Sequence, residues 1–205
     1  MSGQTESKAV ESERAANTRQ RILEAARTEF AASGFGGGRV DRVASLAGVN
    51  KERIYAYFGD KRALFIATIV SAVTEVGMTV GQDAEDLVAF AGRVFDFIAQ
   101  HPQTLRLLTW ARLETDPWDE ATAQLDDLPL PENMIARWQD EGVVSTEWNP
   151  RDLYVIIWGL CEVWHVPPFN RDGSGGTSDH HRKALVQYVV QLLGEARGLP
   201  VQVEG

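Results

Sequence analysis

The chain has 205 residues, 44% of them hydrophobic, and a formal net charge of −9. This length suits one larger or two small domains, and no stretch reaches the roughly 18 uninterrupted apolar residues of a membrane span. The single cysteine, Cys161, excludes an intrachain disulfide, and the first residues hold no apolar leader, so a reducing, cytoplasmic location is expected.

Residues 1–16 are polar and charged and read as a flexible N-terminal arm. A first helix is expected from about Thr18 to Ser33, with Asn17 as N-cap. Ile22, Leu23, Ala26 and Phe30 form its apolar face, and the glycine run after Ser33 stops it. A short helix from about Val40 to Leu46, the turn Ala47-Gly48-Val49 and a helix capped by Asn50 and ending near Phe58 make a helix-turn-helix pattern. Val43, Leu46, Val49 and Ile54 are its expected internal contacts. A longer helix follows from Lys61 to about Thr79, then helices near Asp83–Gln100 and Pro102–Glu114. The acidic, proline-bearing stretch Asp116–Leu130 reads as a loop. Helices near Pro131–Glu141, Pro150–His165 and Ser178–Arg197 complete an all-α chain of about nine helices. Asn149-Pro150 is a helix start, and Val166–Ser178 is a loop by composition.

Charge divides along the same line. From Arg14 to Arg62 there are ten basic and five acidic residues, a net of +5. After residue 62 there are nine basic and twenty-one acidic residues, a net of −12. A basic head can meet phosphates while an acidic body stays off them.

Between Thr18 and Leu64 the sequence resembles the DNA-binding domain of tetracycline-repressor (TetR) type regulators. The resemblance is carried by T-R-Q-R-I-L-E-A-A, F-A-A-S-G-F, V-D-R-V-A-S-L-A-G-V and N-K-E-R-I-Y-A-Y-F-G-D-K-R-A-L-F, in that order. It implies a helix-turn-helix domain at 17–62, an effector-binding and dimerisation domain at 63–205, and a homodimeric repressor released from operator DNA by a small effector. Two departures stand out: Gly38-Arg39 where a Ser or Thr usually precedes the second helix, and Glu52 where a small residue is common.

In a helix-turn-helix the second helix enters the major groove with its N-terminal residues at base edges. Lys51, Glu52 and Arg53 occupy those places, Arg53 suited to guanine and Glu52 to cytosine. Thr18, Arg39, Tyr55, Tyr57 and Lys61 are the expected phosphate contacts. An apolar or aromatic effector is expected among Phe90, Phe97, Trp110, Trp138, Trp158 and Trp164, with Phe95 and Leu113 nearby, although aromatic residues at helical spacing also build cores. The last two helices are apolar enough to pair with a second copy, through Leu153, Ile157, Leu160, Leu185, Val189 and Leu192, or to serve one core.

Two other readings accompany this one. Cys161 and His165 share a helix face, which suits a metal- or redox-responsive regulator, yet a cysteine in an apolar helix is usually a small buried hydrophobe. Glu52 and the overall acidity suit a helical adaptor that does not bind DNA. No catalytic motif stands out: Gly34-Phe35-Gly36-Gly37-Gly38-Arg39 fails the dinucleotide pattern, and no cofactor or metal is expected.

Overall fold

The computed structural model describes residues 2–81, 84–125, 131–166 and 179–196. Within them the chain forms ten α-helices: α1 (Ser2–Gly37), α2 (Val40–Ala47), α3 (Lys51–Phe58), α4 (Lys61–Gly81), α5 (Leu87–Gln100), α6 (Pro102–Leu113), α7 (Thr115–Thr122), α8 (Pro131–Asp140), α9 (Pro150–Glu162) and α10 (Asp179–Ala196). A 3-10 turn, Val163–His165, follows α9, and no strand occurs among the described residues. The loop expected at Val166–Ser178 falls almost wholly outside them.

Two expectations change. Helix α1 reaches back to Ser2, through the segment read as an arm, so Asn17 lies inside the helix and caps nothing. The Glu, Lys, Arg and Ala residues between Glu6 and Ala16 are strong helix formers and no proline interrupts them. The stretch read as an acidic loop contains α7, one helix beyond the nine expected. Aspartate and proline both suit the first turn of a helix, which Asp116 and Pro117 occupy here. Ala121 and Leu125 are buried, and Arg62 of α4 forms an ion pair with Glu120.

The chain divides into two compact units, Met1–Val73 with Arg106–Asp126, and Thr74–Leu105 with Asp127–Gly205. This division is discontinuous, whereas the sequence reading divides the chain after residues 16 and 62.

In the first unit, Ile22, Ala26 and Phe30 of α1 are fully buried and Leu23 nearly so. Val40, Val43, Ala44 and Ala47 give α2 a buried stripe at helical spacing. Ile54 of α3 and Leu64, Phe65 and Ile69 of α4 complete this core, with Phe30 set edge-on to Phe65 at 4.9 Å. Full burial of each such side chain contributes about 1.5–3 kcal/mol. Leu46, expected inside, is 59% exposed, because it falls between the stripe positions.

In the second unit, α5 packs against α9 and α10, and α9 against α8. Its core joins Leu87, Phe90, Val94 and Ile98 to Ile135 and Trp138, Leu153 and Ile157, and Leu185 and Val189. Asn149 accepts a hydrogen bond from the Arg151 N–H at 2.9 Å with Pro150 at the helix start, as expected. Asp86 caps α5 by accepting from the Ala89 N–H at 2.7 Å. Arg182 of α10 donates through Nε and Nη2 to the two carboxylate oxygens of Asp96 on α5, at 2.8 and 2.9 Å. Gly92 makes room for that fork, since a Cβ there would lie 2.8 Å from Nη2 of Arg182.

By length and composition α4 could cross a membrane, but its apolar residues Leu64, Phe65, Ile69 and Val76 are buried in the protein's own packing.

Candidate functional site

The helix-turn-helix is held by backbone chemistry at its turn. Gly48 adopts the left-handed conformation (φ 63°, ψ 40°) that a side chain would strain. The Val49 N–H reaches the Ala44 carbonyl at 3.0 Å and the Gly48 N–H the Ser45 carbonyl at 3.3 Å, closing α2 in a Schellman motif. Two residues on, the Asn50 side chain accepts from the Arg53 N–H at 2.9 Å and starts α3, as the sequence indicated. Asp60 caps α4 in the same way, accepting from the Ala63 N–H at 2.8 Å.

The start of α2 has a cap that the sequence hides. Residue 38 is glycine because a Cβ would fall 2.6 Å from the Phe30 ring. The N-cap position is Arg39, whose own side chain makes no capping bond. Its N–H instead donates to Glu29 of α1 at 3.0 Å. Glu29 is only 5% exposed, and its carboxylate also meets Arg42 at 3.5 Å. A buried carboxylate thus lies at the positive end of α2 and accepts from the N–H of its N-cap residue, the bond that the carboxylate of a capping box would make. Only a ten-residue separation links Glu29 to Arg39 in sequence, too weak a signal to find it there.

The residues expected to read bases differ in how free they are. Glu52 and Arg53 are exposed on the first turn of α3. Lys51 is engaged: its ammonium contacts Asp41 of α2 at 3.0 Å, and that carboxylate pushes the lysine pKa above its ordinary value. Among the expected phosphate contacts, Arg39 and Tyr55 are exposed and Tyr57 is half-buried. The Thr18 hydroxyl donates to the Arg14 carbonyl at 2.9 Å. The Lys61 ammonium lies 4.8 Å from the centre of the Phe35 ring, above its face. Arg19 covers the Phe58 ring at 5.4 Å, joining α1 to α3.

The aromatic residues expected around an effector separate into groups. Phe90 and Trp138 are buried in the core of the second unit, 6.2 Å apart and edge-on. Tyr154, which the sequence pattern did not single out, lies 6.4 Å from Phe90 and 6.3 Å from Trp158. Its position one helical turn before Trp158 was the available signal. Burial pushes the Tyr154 hydroxyl pKa well up. Trp158 donates from Nε1 to Glu162 at 2.9 Å. Phe97 stacks on His101 at 4.3 Å, Trp164 on His181 at 4.3 Å, and Phe95 lies 5.0 Å from His165. Trp110 stands apart from all of these. It belongs to the first unit and lies over Gly34, where a Cβ would be 2.8 Å from its indole. Gly34 has φ 65° and interrupts α1 there. Leu113 is 71% exposed.

The residues named for dimerisation need correction. Leu153, Ile157, Leu185 and Val189 are at most 1% exposed within a single chain, and so belong to its core. Leu160 is half-buried, and the Leu192 side chain lies outside the described residues. The spacing explains this: 153, 157 and 161 line one face of α9, turned inward, while Val155 and Ile156 face outward at 58% and 39% exposure. On α10 the outward residues are Tyr188 and Val190, at 60% and 51%.

Cys161 is fully buried, and its thiol donates to the Ala91 carbonyl at 3.7 Å. Burial pushes its pKa far above the ordinary thiol value. No cluster of three or more potential metal ligands occurs among the described residues.

Residues 22–68 match the family described as bacterial regulatory proteins, tetR family, and residues 86–191 the tetracyclin repressor-like C-terminal domain. The chain is 41% identical to the HTH-type transcriptional repressor SCO4008 of Streptomyces coelicolor, across 84% of its own length and 95% of the relative's. It is 31% identical to the HTH-type transcriptional repressor NicS of Pseudomonas putida, across 79% and 82%. Among solved structures it resembles the transcriptional regulator SCO4942 of Streptomyces coelicolor at 34% identity. That match has a TM-score of 0.68 and covers 85% of this chain and 97% of the other.

Proposed function

This chain belongs to the tetR family of bacterial regulatory proteins and is a DNA-binding transcriptional repressor; on that premise, we propose that Arg53 and Glu52 select its operator sequence. The observation that carries the reading is their exposure, side by side, on the first turn of an α3 whose start and angle are pinned by Asn50 and Gly48. Arg53 forks onto guanine O6 and N7, and Glu52 accepts from a cytosine amino group. Arg39, Tyr55 and Tyr57 take phosphates and set register. Lys51 and Lys61, engaged by Asp41 and by the Phe35 ring, take a secondary part in meeting the DNA.

Family members bind operator DNA and typically act as dimers. The outward residues of α9 and α10, Val155, Ile156, Tyr188 and Val190, are the natural pairing surface. A two-fold dimer presents two reading helices to half-sites about one DNA turn, or a multiple, apart.

We assign an apolar or aromatic effector to the second unit, on the aromatic cluster gathered there. Phe90, Trp138, Tyr154 and Trp158 would supply the apolar contacts, and the Tyr154 hydroxyl and Glu162 the few polar groups that such sites use. Release from DNA then follows if effector prefers a conformation whose two heads no longer fit the operator. An effector that binds tightly and leaves operator affinity unchanged contradicts this coupling.

Selection from random duplexes tests the reading. Wild-type protein is expected to enrich an inverted repeat, and Arg53→Ala to lose preference at one G·C pair per half-site, with a loss of about 1–3 kcal/mol. Absence of any enriched sequence overturns the assignment of α3.

A further inference from the structure

An open groove runs between α1 and the turn that joins α2 to α3, and two of the arginines that line it, Arg14 and Arg21, have no role in the reading above. Arg14 and Arg21 line it from α1, and Gly48, Asn50 and Arg53 from the motif. Three guanidiniums thus face one groove against a single carboxylate, Glu13. Arg21 is fixed in place: its guanidinium donates to the Ala47 carbonyl at the end of α2. Gly48 permits that approach, since a Cβ there would lie 3.1 Å from Nη2 of Arg21. One N–H of five holds the side chain to the turn, which leaves the rest of the fork preorganised for an anion. Thr18 also lines the groove, but its hydroxyl proton is committed to the Arg14 carbonyl. The charged donors to an incoming anion are therefore the arginines, with the amides of Asn17 and Asn50 beside them.

We propose that this groove is a phosphate clamp, in which Arg14 and Arg21 hold a backbone phosphate of the same duplex that α3 reads. The inference rests on the reading of α3 as the DNA-contacting helix. Arg53 lies at both, so a phosphate seated in the groove sets the register in which Arg53 meets its base. Guanidinium forks match phosphate oxygens in pairs, and such bonds add affinity without choosing sequence. A flexible arm at residues 1–16 would leave no such groove, because Arg14 reaches it only when α1 continues back through that segment.

The test is fluorescence anisotropy with the selected operator and a scrambled duplex over a salt series, for wild type, Arg14→Ala and Arg14→Lys. Arg14 is exposed, so thermal melting is expected to be unchanged by either substitution. Arg14→Ala should weaken both duplexes by a similar factor. It should also flatten the dependence of log K on log salt by about 0.9 for each phosphate that is no longer neutralised, near two for a dimer. Arg14→Lys keeps the charge, and so the slope, while losing the paired geometry and part of the affinity. An unchanged slope and affinity in Arg14→Ala overturns the clamp. So does a loss confined to the operator, which would make Arg14 a reader of bases. Wild-type protein that fails to distinguish the two duplexes defeats the reading of α3 instead, and the change in slope then still decides the clamp. No binding by wild type at low salt overturns both.

Discussion

Gly38 has no side chain because the Phe30 ring occupies the space that one would fill. A Gly38→Ala substitution should cost about 1–3 kcal/mol by overpacking, read as a lower urea midpoint at unchanged slope. Wild-type stability in that variant would show that Phe30 has room to move. Cys161 gives a second expectation at this scale. With the thiol fully buried and its ionisation suppressed, native protein should resist a thiol-modifying reagent and react in full once unfolded. Rapid native labelling would revive a redox role. What the sequence reveals about such residues depends on how local their partners are. Asn50 and Asn149 are legible as caps because each serves a backbone N–H two or three residues away. Glu29 is not, because it caps a different helix, and Arg182 is not, because its partner Asp96 is 86 residues distant.

Helix α9 shows where periodicity runs out. Its apolar residues surround the axis, so the pattern demands cover on several sides without saying which side belongs to the chain's own core. The structure turns Leu153, Ile157 and Cys161 inward and leaves Val155 and Ile156 outside, as it does Tyr188 and Val190 of α10 in the same unit. The two faces should respond differently to mutation. Ile157→Ala is expected to lower the stability of the fold by about 2–5 kcal/mol through a core cavity. Val155→Glu with Tyr188→Glu should leave the fold intact and shift sedimentation velocity from dimer to monomer. A dimer that survives this double substitution locates the pairing surface elsewhere. The helix-turn-helix was legible almost residue by residue, since short helices, a glycine turn and a cap are all local signals. Helix α7 was not, because proline and aspartate mark helix starts as readily as loops, and only the burial of Ala121 and Leu125 decides between them.

Across the whole molecule, charge and apolar surface divide the work. The segment from Arg14 to Arg62 carries +5 and includes the reading helix, whereas the residues after it carry −12. The acidic body should repel a duplex, so phosphates are met by the head alone, and the net charge of −9 is no obstacle to DNA binding. That distribution was visible in sequence. The identity of the aromatic cluster was not: the same tryptophans serve as core (Trp138), as rim (Trp158) and, in the first unit, as a cover for Gly34 (Trp110). The central claim is that Glu52 and Arg53 make this head a sequence-specific reader. It is tested most directly by comparing wild type with the double variant Glu52→Ala, Arg53→Ala on operator and scrambled duplexes at one physiological salt concentration. Wild type is expected to prefer the operator by about a thousandfold or more, and the double variant to lose most of that preference while keeping its weak affinity for the scrambled duplex. A double variant that discriminates as well as wild type would contradict the account, since sequence would then be read by other residues.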